Sequence, residues 1–211
     1  LKYLAAFLHT KVAPEFLKVF SETIHYETGN ISRMPVIYDK DKEARIIEIV
    51  TEVIEVAKKE WDSYEASWEF KEHPLVRWST GDCSIEECFE KWNDECDDWF
   101  NVTKKHEEEL NEIFISLYGL ENELLASISD DMITIRKAEL VREIKSLISY
   151  AVGCMFGRYS LNDKGIIYAG GKFDVNNYTI FTPDSDGIIP ITDDDYFGDD
   201  IVKRFCEFVR C

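Results

Sequence analysis

The chain has 211 residues, 45% of them apolar and 13% aromatic, which is enough to bury a core and excludes a disordered chain. Asp and Glu number 42 against 24 Lys and Arg, and a net charge of -18 excludes wrapping of nucleic acid by the overall field. Residues 1–40 are the exception, with Lys2, Lys11, Lys18, Arg33 and Lys40 set against four acidic groups, so any contact with phosphate belongs at the start.

In chain order, Thr10 is placed to cap a helix from Lys11 to Phe20, whose Val12, Phe16, Leu17 and Phe20 fall at helical spacing. Ile24 to Tyr26 reads as extended, Gly29-Asn30 as a turn, and Met34-Pro35 ends the unit. From Asp41 to Trp68, the residues Ile46, Val50, Val53, Ala57, Trp61, Tyr64 and Trp68 recur every three or four positions, as one stripe of a long helix. Ser84 with Glu87 forms a capping box that opens a second long helix. Its stripe runs through Ile85, Phe89, Trp92, Cys96, Trp99, Thr103, His106, Leu110, Ile113 and Leu117, and Gly119 supplies the stop.

Two such helices, joined through His73-Pro74 and Thr80-Gly81, predict a long antiparallel, coiled-coil-like hairpin. Tryptophans in the second stripe predict packing on more than one partner helix. A third helix is expected over about 137–156, where Gly153 and Gly157 permit close approach. Beyond Ser160 the segments 165–168 and 188–192 read as short strands, before a final helix capped by Asp199 or Asp200. The expected fold class is therefore mainly α, with a helical hairpin, a third helix and a small α+β C-terminal part. Three segments follow: 1–40, a hairpin over 41–120, and a helix with an acidic tail over 121–211.

Candidate chemistry is sparse. Thr182, Asp184, Asp186, Gly187 and Asp193 sit at EF-hand spacing, but Pro183, Pro190 and the final Asp fit an acidic turn better than a calcium loop. Cys83, Cys88, Cys96 and His106 lie five, eight and ten residues apart on one expected helix, so they do not converge on zinc and read as core thiols and an interface histidine. His73 reads as a turn residue. The six cysteines, with no signal peptide, suit a cytoplasmic protein with free thiols. The five prolines are never adjacent, so an N-P-P-Y loop is absent, as are phosphate-binding glycine loops and the zinc and serine-hydrolase motifs. No catalytic, cofactor-binding or metal-binding residue is assigned.

Three strings carry a resemblance. Leu8 to Ile37, with Tyr26, Gly29, Ile31 and Pro35 in a Y-x-x-G-x-I-x-x-x-P pattern, resembles the end of the target-recognition region of large adenine-specific DNA methyltransferases. AKKEWDSYEASWEFKEHPL (57–75) resembles the start of the helical spacer that follows it. LISYAVGCMFGRYS (147–160) and YAGGKFD (168–174) look like the C-terminal part of the PglX family, the methyltransferases of the BREX phage-exclusion systems. The resemblance implies a parent enzyme that moves a methyl group from S-adenosylmethionine to adenine N6 of a flipped-out base. It further implies that this chain is a piece of that parent, that the catalytic loop and cofactor pocket lie upstream of Leu1, and that no cofactor is held here. On that reading the helices are a spacer, Lys11, Lys18 and Arg33 meet the DNA backbone, and the acidic tail docks partner proteins of the defence complex, with no membrane involved. The alternative is an acidic helical interaction module or DNA mimic without enzymatic activity.

Overall fold

A computed structural model describes residues 1–20, 27–79, 83–194 and 196–211. The expected extended run at Ile24 to Tyr26, the motif residue Tyr26 and the connection residues Thr80 and Gly81 lie outside the described residues. The elements in order are α1 (Lys2–Leu8), α2 (Val12–Phe20), α3 (Thr28–Ser32), α4 (Lys40–Asp62), α5 (Pro74–Arg77), α6 (Ile85–Tyr118), α7 (Leu140–Met155) and α8 (Ile201–Arg210). Two single 3-10 turns, Asp130–Met132 and Val175–Asn177, complete the set, and among the described residues there is no strand. The mainly α class is as expected. The chain divides into two compact units, one of residues 1–59 and 96–137 and the other of 60–95 and 138–211, which cut across the three consecutive segments read from the sequence.

In the first unit, α1, α2, α4 and α6 share one core. Phe7 and Phe114 are fully buried, with ring centroids 5.8 Å apart, and Tyr3 meets Phe114 at 5.5 Å. Ile46, Ile49 and Val50 of α4 and Leu110 of α6 close the same cluster. The direction of α4 and α6 is fixed by their side-chain pairs: Arg45 meets Glu109 at 2.7 Å, Glu52 meets His106 at 2.6 Å, and Val56 packs against the cluster of Phe100. As the number rises along α4 it falls along α6, so the two helices run antiparallel within this unit. Two tyrosines then fasten the approach to α4. The Tyr118 hydroxyl donates to the Pro35 carbonyl and accepts the Ile37 amide, while Tyr3 donates to the Ile37 carbonyl and accepts the Asp39 amide.

The long helices start and stop for legible reasons. The Ser84 amide donates to the Glu87 carboxylate and the Glu87 amide to Ser84 Oγ, the reciprocal capping box. At the other end Gly119 takes φ 67°, and the Leu120 amide reaches back to the Ile115 carbonyl, closing the terminus as a Schellman turn. Trp92, Cys96, Thr103, His106 and Leu110 of the expected α6 stripe are buried, and Cys88, Phe100 and Phe114 widen it into a broad face.

Several expectations are corrected. The stripe drawn to Trp68 fails after Val53: Ala57 and Trp61 lie within α4 but on its exposed side, Trp61 at 48%, while Glu60 is buried, and α4 ends at Asp62, so Trp68, 99% exposed, lies beyond the helix. Thr10 does not cap α2. Its hydroxyl donates to the Phe7 carbonyl and so closes α1, a helix the sequence reading missed. Gly29-Asn30 lies inside α3 rather than in an open turn. The small α+β C-terminal part has no sheet among the described residues, since the backbone groups meant for a ladder go elsewhere. The Ile167 amide bonds the Arg158 carbonyl, Gly165 bonds Lys71, and the Ile188 amide is taken by the Asp184 and Asp186 carboxylates.

The second unit is organised by aromatic rings. Tyr150 stacks on Tyr159 at 4.9 Å, Phe70 meets both edge-on, and Phe208 of α8 meets Tyr150 and Phe181. Helix α7 is capped by the Glu139 carboxylate, which accepts the Val141 and Arg142 amides, and α8 by Asp200, which accepts the Val202 amide. Gly153 lets the Tyr159 ring lie against α7, because a Cβ there would stand 2.5 Å from Tyr159 Cδ2. Gly153→Val is therefore expected to destabilise the chain by about 1–3 kcal/mol, read as a lower urea midpoint, with Tyr159→Leu in the same chain recovering part of the loss.

Candidate functional site

The residues that sequence reading set toward DNA are placed as follows. Lys11 turns inward, its ammonium donating to the Leu125 and Ser127 carbonyls at 2.9 and 2.5 Å. Lys18 is exposed on α2 and pairs with Glu15, one turn earlier, at 2.6 Å. Arg33 is exposed, with its guanidinium 5.5 Å from the centre of the Phe20 ring. The three are not gathered into one cluster by any contact with one another.

His106 is buried on α6, and its Nε2 lies 2.6 Å from the Glu52 carboxylate, so it ties α6 to α4. His73 is fully buried as the N-cap of α5, where Nδ1 accepts the Leu75 amide at 3.2 Å. Burial lowers its pKa from 6.5 to about 3, so the ring is neutral. Cys83 and Cys88 bring their sulfurs to 3.5 Å, with Lys91 Nζ also 3.5 Å from Cys83. Burial, first, and the Cys83 neighbour push Cys88 up to about 11, and burial pushes Cys154 up to about 12, so these thiols stay protonated at neutral pH.

In the tail, Asp184 Oδ2 accepts the amides of Asp186, Gly187 and Ile188 at 3.1, 2.7 and 3.2 Å. Burial alone would raise this carboxyl, but the hydrogen bonds from Asp186, Gly187 and Ile188 hold it below the usual range. Asp184 is thus the anchor of its own turn. Among the described residues no group of three or more His, Cys, Asp or Glu side chains is placed to hold a metal.

A feature the sequence did not reveal is a cleft of about 510 Å³ in the first unit. Its walls come from α1 and α2 (Ala5, Ala6, Pro14), α4 (Val53, Ile54) and the 128–135 segment, with α6 as the floor. Four polar side chains of the lining have defined states. Lys11 is committed to carbonyls, as described, and Asn111 is engaged at both ends of its amide, its Oδ1 accepting the Lys11 amide and its Nδ2 donating to the Ala126 carbonyl. Thr103 is 2% exposed and its Oγ1 has no hydrogen-bond partner among the described residues. Glu107 is half-buried, and burial raises its carboxyl above the ordinary range. In the sequence Thr103 is one position of the second helix's stripe, and Glu107 carries no signal.

No helix among the described residues is long and apolar enough to cross a membrane, and no protein-family model matches the chain. Two curated proteins are similar to it. The adenine-specific methyltransferase PglX of Lacticaseibacillus casei (strain Zhang) is 39% identical over 214 residues, covering 99% of this chain and 18% of that protein. The adenine-specific methyltransferase BrxX of Escherichia coli O9:H4 (strain HS) is 29% identical over 212 residues, covering 89% of this chain and 17% of that protein. The chain therefore spans less than one fifth of the length of either relative. The resemblance read from the three strings holds over nearly the whole sequence: this chain is similar, from end to end, to one segment of the PglX adenine-specific methyltransferase.

Proposed function

We propose that the chain serves as a non-catalytic segment of an S-adenosylmethionine-dependent adenine-N6 DNA methyltransferase of a cytoplasmic phage-defence system, of BREX or restriction-modification type. The observation that supports this best is the full-length match to a small part of PglX. The helical build supports a mechanical role: α6, of 34 residues, is a rod of about 50 Å at ~1.5 Å per residue. Such a rod, with α4 laid along part of it, is suited to brace a target-recognition region on the duplex. Methyl transfer and cofactor binding belong, on this reading, to the rest of the enzyme.

Within the segment, Lys18 and Arg33 are exposed cations near the start and are the proposed contacts to the DNA backbone, whereas the Lys11 ammonium is held by the Leu125 and Ser127 carbonyls. The acidic tail is proposed to face away from phosphate and to dock partner proteins. Ile188, Ile191, Tyr196 and Phe197 stand exposed among its carboxylates, which suits a partner surface that is both basic and apolar. In the intact methyltransferase, removal of residues 41–117 is expected to abolish adenine methylation while S-adenosylmethionine affinity is retained. Methylation that survives the deletion contradicts the spacer role, and loss of cofactor affinity places the segment in the cofactor pocket instead. Partner assembly that is unchanged after removal of 184–199 contradicts tail docking.

A further inference from the structure

We propose that the cleft of the first unit is a binding site for a small organic ammonium, whose apolar body fills the aliphatic walls and whose cationic head lies between Thr103 and Glu107. This goes beyond the spacer reading and does not rest on it. The volume, about 510 Å³, falls in the range of pockets that hold small ligands, and apolar walls with few polar groups are the usual build of such sites.

The polar groups choose the ligand. A threonine hydroxyl inside a helix ordinarily bonds the carbonyl four residues back, or reaches water. Thr103 does neither within the described residues, although it is 2% exposed, and a buried hydroxyl without a partner favours a ligand that supplies one. Glu107 stands four residues on, on the same face of α6, so the two residues line the cleft one turn apart. No cation is paired with Glu107 among the described residues. The lysine of the lining, Lys11, already donates to Leu125 and Ser127, and the Asn111 amide is used at both ends.

Glu107 and Thr103 thus offer an acceptor carboxylate and a hydroxyl one turn apart on α6. An ammonium offers three N–H donors and a positive charge, and so satisfies both with charge-assisted hydrogen bonds. A carboxylate ligand would be repelled by Glu107. A neutral alcohol could serve Thr103 but would leave the half-buried carboxylate unneutralised.

The test is calorimetric titration of the chain with n-hexylammonium, n-hexanol and hexanoate. The expected result is saturable one-site binding of hexylammonium, weaker binding of hexanol and none of hexanoate. Glu107→Gln, which keeps the shape and removes the charge, is expected to weaken hexylammonium by about tenfold or more, the worth of one charge-assisted hydrogen bond. Thr103→Val is expected to weaken it by roughly threefold to tenfold. Val53→Trp, which fills the cleft, is expected to abolish binding of both ligands while circular dichroism stays unchanged. Hexanol binding as tightly as hexylammonium, an unchanged affinity in Glu107→Gln, or no saturation by hexylammonium at all would overturn the proposal.

Discussion

Phe114→Ala is expected to remove about 3–5 kcal/mol from the stability of the chain, read from urea unfolding, with amide exchange accelerated first in α1. Phe114 is fully buried on α6, and its ring meets Tyr3 and Phe7 of α1 at 5.5 and 5.8 Å. Truncation therefore opens a cavity at the point where α1, α4 and α6 share their core, and the aromatic neighbours lose their edge contacts at the same time. Phe114→Leu, which keeps most of the volume, is expected to cost about 1 kcal/mol. A loss below 1 kcal/mol in the alanine variant would show that α1 is not seated on α6.

The second large effect is a dependence on pH that originates at His73. Its folded-state pKa is lowered by burial from 6.5 to about 3, while the unfolded chain takes up a proton near 6.5. Between those values the unfolded state binds more protons, so stability falls as the pH falls. The contribution is complete above 6.5 and declines by up to about 1.4 kcal/mol for each unit below it, until the loss levels off near 3. Going from pH 7 to pH 5 is thus expected to cost about 2 kcal/mol, in a range where ordinary carboxylates have barely begun to titrate. His73→Asn keeps an N-cap acceptor for the Leu75 amide and removes the titration, so its stability is expected to be flatter over this range. Equal slopes for both chains would show that His73 takes up its proton in the folded state.

Local chemistry explains which parts of this fold were legible in advance. The Ser84–Glu87 box, the Gly119 stop and the Asp200 cap are decided by residues within one turn of each other, and all three are found. The mainly helical class followed from periodicity for the same reason. Periodicity misled near the end of α4: Trp61, Tyr64 and Trp68 continue the spacing of Ile46 and Val50, but Trp61 is half exposed on the last turn, α4 stops at Asp62, and Trp68 points into solvent. The strands expected over 165–168 and 188–192 failed because isolated carbonyls take the Gly165 and Ile167 amides, and the Asp184 and Asp186 carboxylates take that of Ile188. The cleft was invisible because its walls come from residues about 100 positions apart, as the Lys11–Asn111 bond shows. Of the basic residues singled out, Lys11 illustrates the same limit: a charge count cannot show that an ammonium is held by two backbone carbonyls.

The division of labour proposed for this segment is tested most directly by titrating S-adenosylmethionine into residues 1–211 and, under the same conditions, into the full-length PglX relative of Lacticaseibacillus casei. The expected result is saturable binding to the full-length enzyme and no heat from the 211-residue chain. Stoichiometric binding to the chain by itself would put the methyl donor inside these helices and contradict a bracing role without chemistry.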